Sequence, residues 1–196
     1  MIRKSAGKSV WALCALISVV ACEEEPADTH TYGAVRDVQQ VATAAPPLDE
    51  APVSADSCAD ATVGADGRLR CTFADGRKFD GEVQGGKANG PGRMWFPNGD
   101  RYSGTFYNGL FGGSGTYWYA SGARYDGQFA NGLRNGSGTT VWPNGSRYSG
   151  NYVHNKPNGY GTVTTANGTR SGQWHDGCLD SARVAIDATL AECGYE

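Results

Sequence analysis

The sequence predicts an all-β fold. It is an elongated, single-layer antiparallel meander of stacked β-hairpins, finished at the C-terminal end by a short capping helix. Three observations predict it. An aromatic-x-Gly triplet recurs every 23 residues, as Phe79-Asp80-Gly81, Tyr102-Ser103-Gly104, Tyr125-Asp126-Gly127 and Tyr148-Ser149-Gly150. Two columns of turn residues run through each period. Between the turns, apolar and polar residues alternate. A period of this length marks stacked supersecondary units, each too small to bury a core alone.

The elements can be taken in order along the 196-residue chain. Residues 1–21 begin with Arg3, Lys4 and Lys8 and continue as an apolar run from Val10 to Ala21. The run falls short of the about 20 apolar residues that span a bilayer and reads as a signal peptide. It ends Val19-Val20-Ala21-Cys22, which resembles the processing site of bacterial lipoproteins. That resemblance implies cleavage before Cys22, acylation of Cys22 and a lipid-anchored protein of the cell envelope. Glu23 is not the aspartate that marks inner-membrane retention in that family, so the resemblance points to the outer membrane, facing the periplasm or the surface.

Residues 22–57 read as a lipidated tether. The stretch after Cys22 holds eight acidic residues against Arg36 and is rich in Ala and Pro. Low hydrophobicity with charge of one sign does not offset the entropy of ordering, so disorder is expected.

Residues 58–179 hold the sheet. In Tyr102-Ser-Gly104-Thr-Phe106 the aromatic, the glycine and the second apolar residue share one face. An aromatic ring lying over each glycine, from a neighbouring strand, would explain why the two recur together. The first turn column reads Asp75-Gly76, Asn98-Gly99, Ser121-Gly122, Asn144-Gly145 and Asn167-Gly168. The second reads Asn108-Gly109, Asn131-Gly132 and Asp176-Gly177, with Gly85-Gly86 and Asn155-Lys156 as variants. Asn-Gly favours tight hairpins, in which both central residues need positive φ. Two turns per period mean two strands per period, the second starting at each Gly-x-Gly (Gly90/Gly92, Gly113/Gly115, Gly136/Gly138, Gly159/Gly161). A fifth triplet, Arg170-Ser171-Gly172, arrives one residue early and has lost its aromatic.

With aromatic-x-Gly, Gly-x-Gly and a closing glycine in register, Phe79 to Gly177 resembles the MORN repeat. The clear copies are 79–101, 102–124, 125–147 and 148–169, with partial copies at both ends. The resemblance implies a twisted one-layer sheet with an aromatic groove. It also implies a role as scaffold, assembly module or membrane-proximal binder, without catalysis.

Residues 180–196 read as the cap. Asp180 or Ser181 can start a helix on which Ala182, Ile186, Leu190 and Cys193 share a face. Cys58, Cys71, Cys178 and Cys193 form an even set in an exported chain, which allows two disulfides in three pairings. Proximity in sequence favours Cys58–Cys71 and Cys178–Cys193.

Two constellations are candidate binding sites. The first is an aromatic groove of Tyr102, Phe106, Tyr125, Phe129, Tyr148, Tyr152 and Trp174, with Trp95, Trp118 and Trp142 as contributors from second strands. These rings either pack as the only core a one-layer sheet has, or leave area for a peptide, a glycan or another copy of the chain. The second is a ladder of cations 23 residues apart, Lys78, Arg101, Arg124, Arg147 and Arg170. Each precedes the aromatic column by one position, so the ladder belongs on the polar face, with successive charges about 10 Å apart. It either solubilises the sheet or grips a repeating anion such as an envelope polysaccharide.

Other signals carry little. Gly81 to Ala88 falls one residue short of a phosphate-binding loop and sits in hairpin context. Asn135, Asn144 and Asn167 head glycosylation sequons, but turn chemistry explains the Asn-Gly pairs. His30, His154 and His175 are scattered, and no catalytic, cofactor or metal motif stands out. Residues 77–170 hold ten basic and four acidic residues, less basic than a nucleic-acid binder requires. The expected partners are therefore a membrane through the lipid, a protein partner or a second copy, and an envelope polysaccharide, with no nucleic acid.

Overall fold

A computed structural model of the chain describes residues 60–181, 184–186 and 192–194. The signal segment, Cys22, the whole tether and Cys58 lie outside them. The described residues form one 12-stranded sheet in strict sequence order. The strands are β1 (Thr62–Val63), β2 (Arg68–Thr72), β3 (Lys78–Gln84), β4 (Lys87–Trp95), β5 (Arg101–Tyr107) and β6 (Leu110–Trp118). They continue as β7 (Arg124–Ala130), β8 (Leu133–Val141), β9 (Arg147–Val153), β10 (Lys156–Thr165), β11 (Gly168–His175) and β12 (Cys178–Leu179). Every neighbouring pair is antiparallel, as the two turns per period require.

The two turn columns differ. Asn108-Gly109, Asn131-Gly132 and Asp176-Gly177 have positive φ at both central residues, which fits the mirror-image hairpin turn. The period centres the equivalent turn of the fourth repeat on His154 and Asn155, at φ 47° and 73°, not on Asn155-Lys156. In the first column only the glycine is left-handed. Gly99 N–H, for example, donates to Phe96 O at 3.0 Å, and Phe96 N–H donates to Asp100 O at 3.0 Å.

The Gly-x-Gly pairs do not open the second strands. β4, β6, β8 and β10 start three residues earlier, and the first glycine of each pair sits at a register shift. Gly90, Gly113, Gly136 and Gly159 all have positive φ there. A bulge of this kind bends the strand and raises its twist.

Each column aromatic folds back over the glycine two residues ahead in its own strand and over the glycine opposite. Tyr102 covers Gly104 and Gly115, Tyr125 covers Gly127 and Gly138, and Tyr148 covers Gly150 and Gly161. The covering ring is thus a neighbouring strand's for Gly115, Gly138 and Gly161, as expected, and the strand's own for Gly104, Gly127 and Gly150. It reaches its position because the glycine at i+2 has no side chain. The bulge also leaves a carbonyl for each phenol: Tyr102 Oη donates to Thr105 O at 2.9 Å, and Tyr125 Oη donates to Gln128 O at 2.9 Å.

The described part of the C-terminal segment differs from expectation; Ala182 and Leu190 of the expected helix lie outside the described residues. No helix forms among the described residues. Leu179 N–H donates to Val184 O at 2.9 Å, Ile186 N–H donates to Gly177 O at 2.7 Å, and Ala185 bridges Cys178. These groups extend the sheet edge and are lost to helical bonding. Val184, Ala185 and Ile186 are fully buried, so the segment still closes the end of the core. Cys178 and Cys193 are bonded to each other. Cys71 is disulfide-bonded as well, and its expected partner, Cys58, lies outside the described residues.

Candidate functional site

The two faces of the sheet carry the two sets of candidate residues, and the structure gives them different fates. On the aromatic face, Tyr102, Phe106, Tyr125, Phe129, Tyr148, Tyr152 and Trp174 are all buried. They form a continuous chain of edge-to-face contacts. Phe79 meets Phe106 at 5.2 Å, Phe106 meets Tyr102 at 5.3 Å, and Tyr102 meets Phe129 at 5.1 Å. Phe129 meets Tyr125 at 5.2 Å, Tyr125 meets Tyr152 at 5.1 Å, and Tyr148 joins Tyr152 to Trp174 at 5.3 and 5.1 Å. Perpendicular contact is the favoured geometry for ring quadrupoles. These rings are the core, and they present no open groove. Burial raises the phenol pKa of Tyr102, Tyr125 and Tyr148 well above the ordinary tyrosine value.

One column on this face was not visible from the triplets. Ala88, Phe111, Arg134 and Pro157 stand 23 residues apart, just after the second turn. Phe111 stacks on Tyr102 with ring centroids 3.9 Å apart. Arg134 takes the same place one repeat on, only 3% exposed. Its guanidinium carbon lies 5.6 Å from the Tyr125 centroid and 5.0 Å from the Tyr152 centroid. Its Nη2 also donates to the Asn155 carbonyl. The 23-residue spacing was the available signal, but the change from Phe to Arg hides it.

On the opposite face the cross-strand register makes one row of Lys78, Trp95, Arg101, Trp118, Arg124, Val141 and Arg147. Lys78, Arg101, Arg124 and Arg147 are exposed there, in the alternation expected of the ladder. Arg170 does not belong to it. It pairs with Val163, which pairs with Tyr148, so it occupies the aromatic column on the other face. The one-residue shift of the fifth triplet is the cause. Trp95 and Trp118 also change sides: they fill the gaps between the cations and are not part of the ring core. Trp142 is buried beside the first turn column.

The ladder cations are not equivalent. Arg124 Nη2 lies 2.6 Å from Asp126 Oδ2. The Arg101 guanidinium carbon lies 4.9 Å from the centroid of the Trp118 ring system. Among the described residues, no carboxylate stands within ion-pair distance of Lys78, Arg93, Arg101 or Arg147. Tyr107, Val153 and Tyr160 project from the same face, 55%, 40% and 61% exposed. A surface that mixes Arg, Trp and Tyr in this way has the composition of an interface.

A shallow depression of about 330 Å³ is lined by Arg93, Trp95, Arg101, Tyr102, Ser103 and Trp118. Beside it, a second of about 310 Å³ is lined by Arg68, Pro91, Gly92, Arg93, Ser103, Gly104 and Thr105. No group of three or more His, Cys, Asp or Glu able to hold a metal occurs among the described residues.

An open sheet of stacked hairpins, with most of its rings inside and a mixed cationic and aromatic face outside, defines a β-repeat module. Residues 79–101, 102–124, 125–147 and 148–170 match the MORN repeat, so the chain carries four consecutive MORN repeats, a type that is generally non-catalytic and suggests a protein- or membrane-binding scaffold. No curated protein matches the chain. Among solved structures, it is similar to the SAS-4 (dCPAP) TCP domain of Drosophila melanogaster in complex with a proline-rich motif of Ana2 (dSTIL). That likeness has 17% identity and a TM-score of 0.43, covering 67% of this chain and 75% of that one. It is also similar to the TCP10c domain of Drosophila melanogaster Sas-4, at 16% identity and a TM-score of 0.34, covering 58% and 91%.

Proposed function

We propose that this chain is a lipid-tethered, non-catalytic scaffold of a bacterial cell envelope, anchored through Cys22 in the outer membrane, whose repeat sheet binds a protein partner or a second copy of itself. The observation that carries the binding role is the exposed face. Trp95, Tyr107, Val153 and Tyr160 stand in water on a sheet most of whose other rings are buried. Arg and aromatic residues together are the usual anchors of protein interfaces. The anchor rests on sequence. A basic start, a short apolar run and Cys22 are followed by an acidic tether, and two or three acyl chains hold a protein at a membrane where one is marginal.

Two measurements test this reading. A photocrosslinking side chain placed at Tyr107 or Tyr160 in intact cells should trap a protein of defined mass or a dimer of the chain. The same probe at a tether position should not. Cys22→Ser should move the protein from the membrane fraction to the soluble one. Retention of the variant in washed membranes would overturn the anchor, and absence of any face-specific crosslink would overturn the scaffold.

A second reading rests on its own observation. Among the described residues, Lys78, Arg93, Arg101 and Arg147 stand without carboxylate partners on one face, which suits an anionic envelope polymer. Such binding should weaken with salt, since screening acts within about 8 Å at physiological ionic strength.

A further inference from the structure

We infer that the Trp95 depression is a binding site for an acidic saccharide, a pyranose chain bearing carboxylates. The inference rests on the second reading above, that the cationic face takes an anionic polymer, and it gives that face one defined site.

The geometry supplies each kind of contact such a ligand needs. Trp95 is 39% exposed and offers an apolar platform on which the C–H face of a sugar ring can lie. Its cross-strand neighbours are Lys78 on one side and Arg101 on the other, and Arg93 stands two residues before it on the same face. Three cations therefore surround one indole, and none has a carboxylate partner among the described residues. A guanidinium grips a carboxylate with two parallel hydrogen bonds, so Arg93 and Arg101 suit a planar acid group better than lysines would. Arg101 is held over the Trp118 ring, which places its charge before a ligand arrives and lowers the ordering cost of binding. The adjoining depression shares Arg93 and Ser103 and adds Thr105, so hydroxyl partners stand one ring further along.

The same elements argue against a nucleic acid. The array has only a small basic excess and the whole chain has a formal charge of −3, far from the strongly basic surface that phosphate binding favours. One face of Trp118 is already occupied by Arg101, which leaves a single indole platform in place of a stacking series.

The test is calorimetric titration of the full chain with tetragalacturonate, with its fully methyl-esterified form, and with a thymidine oligonucleotide, all at low salt. The expected result is binding of the acid, at least tenfold weaker binding of the ester, and at least tenfold loss in Trp95→Ala and in Arg93→Gln/Arg101→Gln. Arg170→Gln, which removes a cation from the opposite face, should change the affinity less than twofold. Circular dichroism of each variant confirms the sheet. If the acid binds equally well to Trp95→Ala and loses affinity in Arg147→Gln, the polymer reading stands and this site falls. If no acid oligomer or long polyuronate binds at low salt, both fall. Equal or tighter binding of the oligonucleotide overturns the saccharide assignment.

Discussion

The Tyr102 ring lies so close to Gly115 that a Cβ on that glycine would stand 2.6 Å from Tyr102 Cε2. Tyr125 and Gly138 repeat the relationship, as do Tyr148 and Gly161. It explains why this chain keeps aromatic and glycine in fixed register. The glycine column is the socket in which the ring column sits, and the ring replaces the side chain the glycine lacks.

Gly115→Ala should therefore destabilise the domain by about 3 kcal/mol, at the upper end of ordinary overpacking, because the obstacle is a ring held by its own hydroxyl bond. Adding Tyr102→Ala removes the obstacle, so the double variant should cost clearly less than the sum of the two single changes. Urea unfolding of the four proteins of this cycle measures the coupling. Additive costs would mean that the ring and the glycine do not act as a unit.

Alkaline pH should unfold the sheet from the ring core outward. Burial is the largest cause raising the phenols of Tyr102, Tyr125 and Tyr148. An unfolded phenol titrates near 10, so stability from these groups is complete below about pH 10 and is lost as pH rises above it. Phenolate absorbance should show these three tyrosines ionising only together with loss of the sheet signal. Replacing all three by Phe should extend the sheet to higher pH, at about 1 kcal/mol per lost hydroxyl bond at neutral pH.

The C-terminal edge should loosen near neutrality. His175 Nδ1 lies 2.8 Å from Asp180 Oδ1, and this hydrogen bond raises the histidine pKa above its usual value. The contribution is fully present below about pH 6.5 and is lost as pH rises through the raised folded value. The pair is exposed, so the effect is local. Exchange of the Leu179 and Asp180 amides, corrected for intrinsic rates, should show less protection at pH 8 than at pH 6. His175→Ala should abolish that difference.

The repeat made most of the fold legible, because register and turn chemistry are local. Tyr102, Gly104 and Phe106 share a face by strand alternation alone, and Asn108-Gly109 specifies its own turn. What stayed hidden depends on contacts between strands. The side taken by Trp95 and Trp118 follows from pairing with Lys78, Arg101 and Arg124, which a reading of single strands does not supply. Arg170 was misplaced because a one-residue slip moves a side chain to the opposite face. Of the residues at helical spacing, Ile186 pairs with the sheet edge, as does the nearby Val184 carbonyl, while Ala182 and Leu190 lie outside the described residues.

Arg134 offers the sharpest test of how the core tolerates a charge. It fills the position that Phe111 fills one repeat earlier, packed against Tyr125 and Tyr152 with a hydrogen bond to the Asn155 carbonyl. Two contributions oppose each other there. The guanidinium loses hydration on burial, and the rings and carbonyl return part of that loss. Arg134→Phe removes the charge and keeps a flat group on Tyr125, so its cost should stay below about 1 kcal/mol. Arg134→Ala opens a cavity and leaves the Asn155 carbonyl without this donor, for about 3 kcal/mol. Arg134→Lys should fall between them, since an ammonium does not stack flat on a ring. Urea midpoints of the three variants at equal slope decide the order. If Phe costs as much as Ala, the cation itself is required at this position, and packing alone does not explain its burial.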